Sequence, residues 1–138
     1  MKTFSLGKNE RVKRLNTIRT LFSDGKSIVA FPLRAVFRSH EREGNAVQAS
    51  IMVSVPKRLF KHATDRNFVK RQVREAFRQN KQLLQMPIDR HVDIAFVWLD
   101  EKQYDTKLVE KKVRKLLIRM NETKLAGWQP SDKEEKAS

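Results

Sequence analysis

Six side chains able to grip phosphate recur on one short stretch. "DRNFVKRQVREAFRQNK", residues 65–81, carries Arg66, Lys70, Arg71, Arg74, Arg78 and Lys81. A guanidinium presents a planar fork of donors that matches two phosphate oxygens at once. The chemistry on offer is ionic capture of a polyanion. Without that anion the arrangement is frustrated, because like charges at helical spacing repel. Cations in the first turn also oppose the positive end of the helix dipole. A phosphate near the helix start would be met by both backbone N–H groups and guanidinium groups.

Bond-making chemistry finds little support. The chain has no cysteine, which removes thiolate nucleophiles, disulfides and Cys-based zinc sites and fits a reducing compartment. His40, His62 and His91 stand far apart in the sequence, in a turn, a basic connection and a strand start, and are read as surface or structural. Asp89, Asp93, Asp100 and Glu101 show no metal-ligand spacing. No glycine-rich phosphate loop occurs. No residue is therefore expected to be catalytic or to bind a metal.

Charge supports the phosphate reading. Thirty Lys and Arg stand against sixteen Asp and Glu in 138 residues, for a net charge of +14. A small domain needs only about 2–8 units for solubility. The excess points to nucleic acid first and an anionic membrane surface second. The window 57–81 holds nine basic and two acidic residues, a local net of +7. No stretch approaches the roughly 20 apolar residues that span a bilayer, and the N-terminus lacks the apolar core of a signal peptide. The chain is read as cytoplasmic, without a membrane role.

The elements that position these groups follow from periodicity. Residues 11–23 read as a helix with Val12, Leu15, Ile18, Leu21 and Phe22 at helical spacing, ended by Asp24-Gly25. Residues 28–38 and 46–55 alternate like strands and are expected to pair as an antiparallel hairpin, with a further short strand in residues 28–55. Pro56 ends the second run. Residues 65–85 read as the motif helix, with Thr64 or Asp65 as N-cap and Pro87 closing it. On its wheel Val69, Val73, Ala76, Phe77, Leu83 and Leu84 share an apolar arc, and Asn67, Lys70, Arg71, Arg74, Arg78 and Lys81 share the arc beside it. Residues 91–99 are apolar enough for a central strand, and residues 105–124 form a last amphipathic helix. The pattern is α+β, in one domain over residues 1–124, followed by a polar, disordered tail over 125–138.

"RNFVKRQVREAFR" resembles the signature of the bacterial ribonuclease P protein subunit, with Arg66, Asn67, Lys70, Arg71 and Arg74 in the motif positions. The flanking "SVPKRLFKHATDRN", the first helix with Phe22 and Gly25, and "VDIAFVW" are similar to the family's neighbouring elements, from about Lys8 to Met120. The chain departs from the family at Phe68, where a third basic residue is common, at Pro56, where Ser or Ala usually stands, and at Ile18, where an aromatic does.

The resemblance implies an α-β-β-(β)-α-β-α two-layer sandwich with an antiparallel or mixed sheet and a left-handed crossover. It implies a partner of a catalytic RNA that removes the 5′ leader of precursor tRNA, with the chemistry carried by that RNA and its Mg²⁺ and no cofactor held by the protein alone. Arg66, Asn67, Lys70, Arg71, Arg74 and Arg78, extended by Lys57 and Arg58, would meet RNA. Ile18, Phe22 and Phe37 would line a cleft for the single-stranded leader; the competing reading of Phe22 and Phe37 is core packing. A structural RNA-binding protein, such as a ribosomal or RNA-chaperone component, is the alternative. Oligomeric state is left open.

Overall fold

The computed structural model of the chain describes residues 15–41, 49–85 and 90–123. The expected tail at 125–138 and the first turn of the expected N-terminal helix lie outside these residues. The elements run α1 (Leu15–Asp24), β1 (Lys26–Ala30), β2 (Leu33–Glu41), β3 (Ala49–Ser54), α2 (Ala63–Asn80), β4 (Arg90–Trp98) and α3 (Thr106–Glu122). The α+β order and the additional strand are as the sequence reading has them.

Strand β4 organises the sheet, whose order is β1-β2-β4-β3. It pairs antiparallel with β2, from Leu33↔Trp98 to Glu41↔Arg90, and parallel with β3, from Ala49↔Val92 to Ser54↔Val97. Val92 to Phe96 are all buried, as a strand covered on both faces requires. The expected hairpin between residues 28–38 and 46–55 does not form. The hairpin is instead β1–β2, closed by Phe31 and Pro32, which are joined by a cis peptide bond. Strand β3 lies on the far side of β4 and connects to it through α2. The most apolar strand takes the centre because both of its faces and both of its edges are then covered.

Strand alternation sorts the side chains to two faces. Leu33, Ala35, Phe37, Ile51, Val53, Val92, Ile94, Phe96 and Trp98 join Val69, Val73, Phe77 of α2 and Val109, Val113, Leu116, Leu117 and Met120 of α3 in the main core. The intervening Val36, Ala95 and Met52 pack with Leu21 of α1 in a separate small cluster. Helix α1 therefore sits across the sheet from α2 and α3, adding a helix to the second side of the expected sandwich. Gly25 is fixed by this approach: a Cβ there would lie 2.4 Å from the Leu21 carbonyl oxygen and 3.0 Å from that of Phe37.

The motif helix starts earlier and stops sooner than residues 65–85. His62, not Thr64 or Asp65, holds the N-cap position, with no side-chain cap. The helix ends at Asn80, whose side-chain amide donates to the Ala76 carbonyl at 2.8 Å, and a 3₁₀ turn over Lys81–Leu83 follows. Such local side-chain bonds compete with continued helix. In α3 the Asp105 carboxylate caps the first turn, accepting from Leu108 N at 2.9 Å.

Candidate nucleic-acid interface

Helix α2 is held by one face and offers another. Val69, Val73, Ala76 and Phe77 are buried, and Leu83 and Leu84 pack at the margin of the core. Polar ties that periodicity does not announce fix its rotation. Gln72 Nε2 donates to the Tyr104 carbonyl at 3.0 Å and to Thr106 Oγ1 at 3.2 Å. Asn80 Nδ2 also reaches Glu110 Oε2 at 3.2 Å. Asn121 of α3 donates to the Leu83 carbonyl and accepts from Gln85 N. Both Gln72 and Asn80 lie on the apolar arc and are buried, so a polarity count alone assigns them to the wrong face.

With that face fixed, the basic stripe turns outward. Asn67 and Arg71 are exposed, Lys70, Arg74 and Arg78 are half-exposed, and Lys81 is exposed beyond them. Lys57 and Arg58 are exposed on the 3₁₀ turn Lys57–Leu59 that leaves β3. At 1.5 Å per residue the stripe from Asn67 to Lys81 runs about 20 Å. Phe68 is exposed at 41%. It does not pack beneath the helix, which leaves it available to stack.

Two predicted contact residues have duties within the fold. Arg66 Nη1 donates to the Phe60 carbonyl at 2.7 Å, tying the helix start to the preceding turn. Arg78 forms a two-pronged pair with Glu75, through Nε to Oε1 at 3.0 Å and through Nη2 to Oε2. The bond from Arg78 holds the Glu75 carboxyl below its ordinary pKa and raises that of the guanidinium. Glu75 thus offsets part of the stripe's repulsion at its C-terminal end.

The expected aromatic cleft changes in composition. Ile18 is half-buried on α1, and Phe22 is exposed at 44%. Phe37 is 1% exposed and belongs to the core under α2 and α3. It cannot line a groove on the α1 side, because successive strand residues face opposite ways. The β2 residue that meets α1 is its neighbour Val36. For Phe37 the competing reading, core packing, is the one its burial supports.

The same face of the sheet carries polar groups that the sequence leaves unconnected. His40 and His91 are cross-strand partners, and Asp93 lies two residues along β4 from His91. His40 Nε2 lies 3.0 Å from Asp93 Oδ2, and His91 Nε2 lies 2.9 Å from Asp93 Oδ1. Only β2–β4 pairing unites residues 40 and 93; the His91-x-Asp93 alternation is the one local signal. This imidazole-rich set does not fit Mg²⁺, which takes oxygen donors.

At Asp100, on the loop before α3, the Tyr104 hydroxyl donates to the carboxylate and draws its pKa down, while that of the phenol rises. Tyr104 also packs on Trp98, with ring centroids 5.9 Å apart. These groups stabilise the α3 approach and form no reactive constellation.

The chain is similar to known proteins in both sequence and fold. Residues 6–121 match the family model described as Ribonuclease P. Proteins named ribonuclease P protein component from two strains of Porphyromonas gingivalis are 41% and 40% identical over 132 residues, covering 94% of this chain and 92% of each relative. The solved ribonuclease P protein of Thermotoga maritima superposes with a TM-score of 0.65 at 26% identity, over 80% of this chain and 96% of that one. A Staphylococcus aureus ribonuclease P protein shares the fold, with a TM-score of 0.63 at 18% identity over 81% and 94% of the two chains.

Proposed function

The chain belongs to the ribonuclease P protein family, and on that premise we propose that it binds the catalytic RNA of ribonuclease P and the 5′ leader of precursor tRNA. Its place is in tRNA processing, as a protein component of that endoribonuclease. In this reading the RNA and its Mg²⁺ cleave the phosphodiester, and the protein contributes charge, position and leader affinity. The observation that carries it is the outward stripe of Asn67, Lys70, Arg71 and Arg74 on a helix whose apolar face is locked into the core. Lys57 and Arg58 widen that surface.

A leader would cross the α1 side of the sheet, where Ile18 and Phe22 remain accessible. Single strands favour basic surfaces with exposed rings. On the same family reading the protein acts in the cytoplasm. Among the described residues no helix is long and apolar enough to cross a membrane.

Reconstitution tests the reading. The purified chain should restore leader cleavage to its cognate catalytic RNA at low Mg²⁺, and the chain alone should cleave nothing. The double variant Lys70→Ala, Arg71→Ala should bind that RNA more weakly, with a salt slope flatter by about 0.7–0.9 for each phosphate no longer neutralised. RNA binding without any stimulation of cleavage would favour a purely structural RNA-binding role, and an unchanged salt slope would remove the stripe from the interface.

A further inference from the structure

We propose that His40, His91 and Asp93 form a binding site for a zinc-class divalent cation that links β2 to β4 on the α1 side of the sheet. Their donor atoms all lie within 4.8 Å of one another. The ladder itself makes the convergence: His40↔His91 is a paired position, and Asp93 follows on the same face. The two imidazoles stand 4.8 Å apart, tilted by 39°, and both Nε2 atoms address the one carboxylate. This holds although Arg38 is the cross-strand neighbour of Asp93.

Two nitrogens and one carboxylate oxygen are a donor set suited to zinc and its transition-metal neighbours. At metal–donor distances of roughly 2.0–2.2 Å a tetrahedral site spaces its donors about 3.3–3.5 Å apart. His40 Nε2 lies 3.0 Å from Asp93 Oδ2 and His91 Nε2 2.9 Å from Oδ1, so the two imidazoles flank the two oxygens of one carboxylate, and small side-chain rotations bring donors already within 4.8 Å of one another onto a single ion. His91 and Asp93 are buried, whereas the His40 side chain is 38% exposed and gives an entry path. Three protein ligands leave a fourth position for water or another small donor. A chain of net charge +14 repels cations on average, so saturable uptake requires a specific donor set such as this one.

The test uses the full chain free of RNA, so its outcome does not depend on the ribonuclease P reading. Titration with Co²⁺, followed by visible absorption, and with Zn²⁺, followed by calorimetry, should saturate at one ion per chain. Zinc at a hundredfold excess over Kd should raise the melting midpoint by roughly 5–10 °C. His40→Ala, at a half-exposed position, should weaken binding at least about tenfold and cut that rise by about half or more. Asp93→Asn should act in the same direction, and His62→Ala, at the exposed third histidine, should change nothing. The proposal is overturned if the wild-type chain takes up neither ion saturably, leaving a hydrogen-bonded triad only. It also fails if His40→Ala binds zinc as the wild type does, or if His62→Ala is the variant that loses it.

Discussion

The two faces of the sheet are built from alternate residues of the same strands and serve different ends. On the α2–α3 side, large apolar groups from every strand interlock with two helices. On the α1 side, among the described residues, Leu21, Val36, Ala95 and Met52 pack together in a small cluster, and Arg34, Arg38, His40, His91 and Asp93 share that face by alternation. The first face holds the fold and fixes α2, so that its basic stripe projects outward. The second carries polar groups and leaves Ile18 and Phe22 accessible, as the proposed leader surface requires. The apolar core and the polar face are thus separated by the pleat of the strand, one residue at a time.

Truncations should expose that asymmetry. Phe77→Ala removes a fully buried ring and is expected to lower stability by about 3–5 kcal/mol in urea unfolding. Leu21→Ala, buried in the smaller cluster, should lower it by about 2 kcal/mol. A reversed order would break the comparison. Phe37→Ala should behave like Phe77→Ala and reduce affinity for precursor and mature tRNA alike. A loss confined to precursor tRNA would return Phe37 to the leader surface.

Phe22→Ala sharpens the contrast from the other side. It should weaken binding of precursor relative to mature tRNA by about 1–3 kcal/mol for a stacked base, while unfolding shifts by no more than about 0.5 kcal/mol. Equal losses for both substrates would mark Phe22 as a packing residue.

The smallest effect concerns Glu75. Its carboxyl is held below the ordinary value by Arg78, so this contribution to stability is present above pH 4.5 and fades as pH falls through the depressed pKa. The pair lies at the surface, where solvent and salt screen it, and its contribution is correspondingly small. Glu75→Gln should flatten the acid limb of the stability curve slightly, as read by urea unfolding across that pH range. It should also strengthen RNA binding a little, by removing a negative charge beside the stripe.

Most of the element types were legible because period-3.6 and period-2 patterns are local. The α2 stripe was legible for the same reason: Asn67, Lys70, Arg71 and Arg74 share a face whenever residues 63–80 are helical. The end of α2 was not, since Asn80 closes it with a side-chain bond that helical periodicity does not register. Strand pairing is not legible in this way: residues 28–38 and 46–55 are adjacent in the chain, which favours a hairpin between them, yet they are separated by β4 in the sheet. The burial of both faces of β4 prevailed, placing it between β2 and β3.

Residue types and short spacings were enough to establish the charge, the class of elements and which side chains share a helical face, since none of these depends on distant parts of the chain. Folding in three dimensions settled which strands are neighbours, which of Val36 and Phe37 meets α1, and that residues 40, 91 and 93 meet at all. Those outcomes depend on register between distant segments. Register is set by the collective burial of both sheet faces, which no local spacing encodes.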